Sequence, residues 1–188
     1  MQIKTLLQKL IINPKSRNKK KSYLKDSEKI RKHLGKVWTT PVYFVAFGFG
    51  SGLITNAPGT WGTLAAIPLY LLLLNIPSSL YFLITVLLFM LGTVVSEKVT
   101  NDLGVEDYKG IVIDEIVGFL LVMFLVPFSL SSLFLGFILF RIFDIWKPWP
   151  IGWLDTKIKG GLGIMVDDVV AAIYASVLLH LIIWAFKI

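Results

Sequence analysis

From residue 41 onward, the chain alternates long apolar runs with short polar or glycine-rich connectors. The apolar runs cover residues 41–54, 61–77, 79–98, 111–127, 130–146 and 169–186. A helix that crosses a bilayer needs roughly 17–25 residues. Several of the runs reach that length, and the others are slightly shorter. The pattern therefore predicts an all-α fold, a polytopic membrane helix bundle with about five spans.

The connectors between the runs differ in charge. Those at residues 75–79 and 127–132 carry no charge, whereas those at residues 99–110 and 147–168 carry nearly all the loop charges. Loops rich in Lys and Arg stay on the cytosolic side of a membrane. We therefore predict that the charged loops and the N-terminus are cytosolic.

The first run, residues 41–54, cannot cross the membrane in this topology, because both of its ends lie on the cytosolic side. Gly48, Gly50 and Gly52 would also interrupt a helix there. Non-helical backbone is tolerated at membrane depth only where protein or a wet cavity covers it. We predict a glycine-rich re-entrant or interfacial segment.

Composition agrees with a membrane protein. Of the 188 residues, 55% are hydrophobic and 16% are charged, against about 25% charged in an average soluble domain. The net charge of +7 is uneven: residues 1–40 hold 12 Lys/Arg and 2 acids, and residues 41–188 hold 7 Lys/Arg and 10 acids. This division predicts a basic cytosolic extension (1–40) and a membrane-embedded domain (41–188). The basic extension suits the anionic membrane surface better than nucleic acid.

Two residue counts exclude several kinds of site. The sequence has no cysteine, which excludes disulfides, thiolate zinc sites and a cysteine nucleophile. It has two histidines, His33 in the basic extension and His180 in the last apolar run, so a two-histidine mechanism would have to pair these distant residues. The sequence leaves the oligomeric state open.

The acids of the apolar domain occur at unusual positions. Asp114 and Glu115 are adjacent and lie about one turn into an apolar run. A charge inside a membrane costs about 2.5–3.5 kcal/mol on insertion scales, and such residues are by default functional. A divalent cation or a wet, polar cleft would offset that cost. The alternative is that both side chains lie at the interface and face water.

A second group combines charges of both signs. Arg141, Asp144 and Lys147 share one helix face by their spacing, and Pro148 and Pro150 should end that helix. A salt bridge within the helix would account for Arg141 and Asp144, but it does not explain the third charge.

Two glycine-containing segments complete the polar motifs. In residues 160–168, three glycines precede Asp167 and Asp168, which we expect to open the last span; the helix dipole alone could account for one of these acids. In residues 56–63, a Pro-Gly turn precedes Thr60, which is placed to cap the next helix, and Thr63. The hydroxyls and free N–H groups of a helix start can also bind an anion.

Together these residues predict a site for a metal and a phosphate. Oxygen ligands without histidine or cysteine suit Mg²⁺, and the candidate ligands are Asp114, Glu115, Asp144, Asp167 and Asp168. Arg141, Lys147 and the glycine–threonine turn could bind a phosphate. The residues predict a magnesium-dependent enzyme that acts on a phospholipid head group. A cation- or proton-coupled transporter is the alternative, although the acids cluster at span ends and no inverted repeat is visible.

The same motifs resemble the phosphatidylglycerophosphatase A family of bacterial membrane lipid phosphatases. The matching stretches are GFGSGL (48–53), PGTWGTLAAIP (58–68), residues 107–118 with their IDEI core, FRIFDIWKPWP (140–150) and GGLGIMVDD (160–168). The resemblance runs from about Pro41 to the end of the chain and leaves out the basic extension.

The resemblance implies Mg²⁺-dependent hydrolysis of the terminal phosphate of phosphatidylglycerophosphate, at the cytosolic side of the bacterial inner membrane. It implies that Asp107, Asp114, Glu115, Asp144, Asp167 and Asp168 are the acids of the site. It implies substrate-side roles for Arg141, Lys147, Thr60 and Thr63. Either water or one of the aspartates could attack the phosphorus, and the sequence does not choose between them.

Overall fold

The computed structural model describes residues 30–106 and 108–187, and within these ranges the regular structure is entirely helical. The chain divides into two units, residues 1–36 and residues 37–188. Residues 30–34 are helical, and the rest of the predicted basic extension up to residue 29 lies outside the described residues.

The helices of the larger unit follow one another with short connections. The α-helices are α1 (Pro41–Ala46), α2 (Pro58–Leu73), α3 (Ser78–Leu103), α4 (Ile113–Val122), α5 (Leu130–Trp146), α6 (Ile151–Lys157) and α7 (Gly160–Phe186). Two short 3₁₀ helices, η1 (Gly35–Trp38) and η2 (Gly48–Leu53), flank α1.

Two of the described helices are long and apolar enough to cross a membrane. These are α3, with 26 residues, and α7, with 27 residues; α2 is a shorter apolar helix. The run 111–127 contains only the ten-residue α4, which extends for about 15 Å and is too short to cross a hydrocarbon core of about 30 Å. The helix ends early because the chain turns after Val122, with Leu125 in the left-handed region (φ 62°). A fold with about five spans stays a prediction.

Helix α4 lies in the interior of the bundle. It packs against α2, α3, α5 and α7, and seven of its ten side chains are buried. A helix that is apolar on all sides is stable only when neighbours surround it. Gly118 lets α5 approach closely, because a Cβ there would meet the Phe140 ring. The N-terminus of α4, with its two acids, is thereby held inside the bundle.

The glycine-rich segment breaks the helix as predicted. Helix α1 ends at Ala46, and Gly48, Phe49 and Gly50 all have positive φ angles. The segment is joined to the start of α4, since the Val112 N–H donates to the Ala46 carbonyl (2.9 Å). Whether this segment re-enters the membrane stays a prediction.

Three predicted helix ends can be compared with the structure. Helix α5 ends at Trp146, directly before Lys147 and Pro148, as predicted. Helix α2 begins at Pro58 with Ala57 at the N-cap and no side-chain cap, so the prediction that Thr60 caps this helix is wrong.

The start of α7 also differs from the prediction. The helix begins at Gly160 instead of opening at the two acids, because the glycines and Met165 of this segment pack into the helix interface. Asp167 and Asp168 therefore lie about two turns inside α7. The helix dipole, which acts mainly within the first turn, explains neither of them well.

Candidate active site

One end of the bundle encloses a charged cavity of about 530 Å³. Its walls come from the starts of α2 and α4, the end of α5, helix α6 and the first turns of α7. Seven of the predicted site residues line it: Asp114, Glu115, Arg141, Asp144, Lys147, Asp167 and Asp168. The fold thus brings motifs that are far apart in sequence to one place.

Three acids form a close cluster. Asp114, Glu115 and Asp168 each offer an oxygen atom, and these atoms lie within 4.8 Å of one another. Within the described chain, one buried oxygen of each carboxyl group has no hydrogen-bond partner: Asp114 Oδ1, Glu115 Oε2 and Asp168 Oδ2. Buried carboxyl groups without partners are costly. A close cluster of carboxyl groups that retain unpartnered buried oxygens fits a hard divalent cation.

Arg141 lies beside this cluster. Its guanidinium donates a hydrogen bond to Asp144, and its Nη1 lies 3.9 Å from Glu115 Oε1. The ion pair with Asp144 within the helix is therefore present, but Arg141 also faces an acid of another helix. Its Nε is buried and has no hydrogen-bond partner in the described ranges, which leaves a donor that a phosphate oxygen could accept from.

The Pro-Gly turn of α2 closes the cavity against this pair. Ala57, Pro58 and Gly59 are lining residues. A Cβ at Gly59 would clash with Glu115 Oε1 and would lie 3.0–3.1 Å from the Arg141 Nη atoms. Glycine therefore permits the close approach of α2 to the Glu115–Arg141 pair, and a Cβ would displace these two side-chain ends.

Lys147 supplies the second positive charge. Its Nζ lies 2.6 Å from Asp167 Oδ2 and 3.2 Å from Asp155 Oδ2. Burial alone would lower the pKa of Lys147, but the hydrogen bonds and negative charges of Asp167 and Asp155 outweigh it and raise the pKa above its ordinary value. Lys147 therefore keeps its positive charge. Asp155 had no role in the sequence analysis, because its partner is recognisable only once α6 is placed.

Two further lysines line the cavity, Lys109 and Lys159. Sequence reasoning gave them no role. Lys159 lies 3.8 Å from Glu106, and both side chains are mostly exposed, so this pair contributes little to stability. Lys109 lies within the motif stretch 107–118 and Lys159 directly precedes the stretch 160–168, and that position was the available signal.

Thr60 and Thr63 do not line the cavity. Thr63 is fully buried, and its hydroxyl donates to the Gly59 carbonyl (2.9 Å). Thr60 lies in the first turn of α2 and is not a lining residue. The structure gives no support to a phosphate contact from either threonine. Asp107 lies outside the described residues.

Glu97 is an acid that sequence reasoning left without a task. It lies on α3, and its carboxylate accepts a hydrogen bond from the Gly161 N–H at the start of α7. Glu97 therefore binds the start of α7, the helix that carries Asp167 and Asp168. Its polar character in an apolar run was visible in the sequence, but its partner was not.

Comparison with known proteins adds an independent observation. The profile of the family described as Phosphatidylglycerophosphatase A matches residues 44–183. A phosphatidylglycerophosphatase A of Haemophilus influenzae is 48% identical over 144 residues, which cover 76% of this chain and 88% of that protein. One of Escherichia coli is 40% identical over 159 residues, covering 84% and 90%.

A third relative, from Bacteroides thetaiotaomicron, is named provisionally as a phosphatidylinositol-3-phosphatase. It is 37% identical over 150 residues, covering 74% of this chain and 92% of that protein. No solved structure matches the chain. All seven predicted residues that line the cavity fall within the matched range 44–183.

Proposed function

Because the chain belongs to the phosphatidylglycerophosphatase A family of enzymes, we propose that it hydrolyses the terminal phosphate of phosphatidylglycerophosphate to give phosphatidylglycerol and inorganic phosphate. One observation carries this assignment at the level of residues. Arg141, Lys147 and the cluster of Asp114, Glu115 and Asp168 line a single cavity. Cations beside clustered carboxylates are the side chains that phosphoryl transfer requires.

The enzyme is proposed to be a multi-pass protein of the bacterial inner membrane, with its N-terminus and site on the cytosolic side. Large apolar side chains are widely exposed on the helices; Leu72, Leu130 and Trp184 are each more than three quarters exposed. Such surfaces mark contact with lipid or protein. The basic residues 1–40 would contact anionic head groups.

Magnesium is the proposed cofactor. Asp114, Glu115 and Asp168 would hold it, with Asp144 and Asp167 beside them in the same cavity. When bound, a divalent cation supplies Lewis-acid stabilisation of negative charge on phosphoryl oxygens.

The chain's own cations do the remaining electrostatic work. Arg141 and Lys147 bind the non-bridging oxygens and neutralise charge as the bond between phosphorus and the glycerol oxygen breaks. Overall, water contributes its oxygen to the phosphate, and the glycerol oxygen takes up a proton. The attack itself is made either by water, with a carboxylate accepting its proton, or by an aspartate that forms a transient acyl phosphate.

The transporter alternative receives no support. The matching family and both close relatives are named for a phosphatase. The acids also converge in one cavity at one end of the bundle, whereas coupled transporters place their sites near the bilayer midplane.

Phosphate release by the purified protein in detergent micelles tests the proposal. With phosphatidylglycerophosphate and Mg²⁺, the wild type should release phosphate, and Asp144→Asn should lose most of that activity because Arg141 loses its charged partner. Asp102→Asn is the matched control, since Asp102 lies on α3 and does not line the cavity. Absence of phosphate release by the wild type would refute the proposed reaction.

A further inference from the structure

A second, open concavity runs along α5 and shares two lining residues with the charged cavity. It encloses about 630 Å³, and its lining residues are Phe137, Ile138, Arg141, Ile142, Ile145 and Trp146. Arg141 and Ile145 line both this groove and the charged cavity. The two spaces therefore border on the same two side chains, which lie one turn apart on α5.

The groove is apolar apart from Arg141. Its residues recur on one face of α5 over about 14 Å of helix axis. Ile142, Ile145 and Trp146 are 47%, 70% and 73% exposed. Arg141 also lines this face, and its guanidinium pairs with Asp144 and lies 3.9 Å from Glu115 Oε1. An occupant must therefore combine a hydrocarbon part with a negatively charged group.

We propose that this groove holds an acyl chain of the phospholipid substrate while the terminal phosphate lies in the charged cavity. The inference rests on the proposed function and adds a binding site for the hydrocarbon part. A charged cavity cannot accept an acyl chain without desolvating its acids and cations. The chain must leave by an apolar route that begins at the cavity wall.

Two other apolar grooves of the described structure do not meet this requirement. One is lined by Phe143 and by residues 173–181 of α7, and the other lies between α3, α4 and α7. Neither shares a lining residue with the charged cavity. The two lining residues shared with the cavity therefore distinguish the α5 groove from ordinary apolar surface.

The test fills each groove with a tryptophan. Ile142→Trp and Ile138→Trp alter residues that line the α5 groove but not the cavity. Val177→Trp is the matched control in the groove on α7. Each variant is assayed with long-chain phosphatidylglycerophosphate in mixed micelles and with its deacylated, water-soluble head group.

Blocking the groove should raise KM for the long-chain lipid at least about tenfold, which corresponds to roughly two lost methylene contacts. It should leave the deacylated head group unaffected, and Val177→Trp should change neither substrate. In addition, an analogue with a photoreactive acyl chain should label residues 137–146 of the wild type and not those of the Ile142→Trp variant.

Three other outcomes would overturn the inference. If Ile142→Trp and Val177→Trp had equal kinetics on the long-chain lipid while the wild type was active, the acyl-chain site would be overturned and the proposed reaction would stand. A change of oligomeric mass in Ile142→Trp, with no effect that depends on the acyl chain, would assign this face to contact with a second copy. A wild type inactive on both substrates would overturn the proposed reaction and this inference with it.

Discussion

The Glu97 carboxylate of α3 accepts a hydrogen bond from the backbone N–H of Gly161, with an N···Oε2 distance of 2.5 Å. The N–H groups of a first helical turn have no partner within their own helix, and a negative charge near them is favourable. Asn101 donates to the other oxygen of Glu97 (3.1 Å). Because Asp167 and Asp168 lie about two turns further along α7, Glu97 sets where those acids enter the cavity.

Replacing Glu97 should therefore impair both stability and activity. We expect Glu97→Ala to lose about 1.5–3 kcal/mol, the usual contribution of a hydrogen bond to a charged group, and to release phosphate more slowly. Glu97→Gln keeps an acceptor and should lose less. Thermal unfolding and phosphate release measure the two effects.

Lys98→Ala is the matched control for Glu97. Lys98 is the next residue on α3, and it forms an exposed i,i+4 pair with Asp102, which is worth at most about 1 kcal/mol. If Glu97→Ala behaved like Lys98→Ala in both measurements, the contact with Gly161 would have no positioning role.

Local sequence signals predicted some elements well. Helix α5 runs over residues 130–146 as predicted, because a Ser129–Ser132 capping box begins it and Pro148 follows its end. The end of α4 at Val122 was not predicted within the apolar run 111–127. Hydrophobicity alone does not separate a short buried helix from a spanning one. The start of α7 was missed because Gly160 and Gly161 pack against α3 instead of ending a helix.

The candidate site likewise contains residues that the sequence predicted and residues that it did not. Asp114 and Arg141 were visible as charges in apolar runs, and Asp168 as a charge directly before one; each lines the cavity. The roles of Glu97 and Asp155 depend on partners in other elements, the first of them 64 residues away in sequence. No local pattern contains such a pairing.

Divalent metal should stabilise the folded protein before any substrate is added. A ligand that binds only the folded state raises the unfolding temperature with its concentration. We expect Mg²⁺ to raise the unfolding temperature of the wild type and EDTA to reverse the change. Asp168→Asn removes one of the three clustered carboxylates and should abolish most of the shift.

Asp102→Asn is the control for the metal experiment, because Asp102 lies outside the cluster and should keep the wild-type shift. Phosphate release should likewise be kept in Asp102→Asn and mostly lost in Asp168→Asn, and EDTA should stop it in the wild type. Full activity after exhaustive EDTA treatment would exclude a metal requirement.

Arg141→Lys should lower kcat/KM about a hundredfold, a loss typical for a donor that stabilises transition-state charge. Lysine keeps the charge but not the planar fork of donors. Here the Arg141 guanidinium donates to Asp144 and lies near Glu115, and its Nε has no partner among the described residues. Lys157→Ala, on α6 and outside the cavity lining, should keep wild-type kinetics. Equal kcat/KM for Arg141→Lys and the wild type would show that a point charge suffices there.

Thr63 separates a structural role from a substrate contact. Its buried hydroxyl donates to the Gly59 carbonyl, so Thr63→Ser should keep nearly full activity and stability. Thr63→Val should lower the free energy of unfolding by about 1 kcal/mol with KM unchanged. An increase in KM without a loss of stability would instead support the predicted phosphate contact.

Gly59→Ala should reduce phosphate release at least tenfold while the protein still folds. The added Cβ would clash with Glu115 Oε1 and press on the Arg141 guanidinium, so that one metal-site candidate and one phosphate-binding candidate are displaced together. Alanine is otherwise favoured over glycine in a helix by up to about 1 kcal/mol, which limits the loss of stability. Gly35→Ala is the matched control, because no atom lies within 4 Å of its added Cβ. Since the clash involves only side-chain ends, Gly59→Ala combined with Glu115→Asp should recover more activity than either change alone; if it does not, the loss arises from the backbone of α2 and not from the displaced carboxylate.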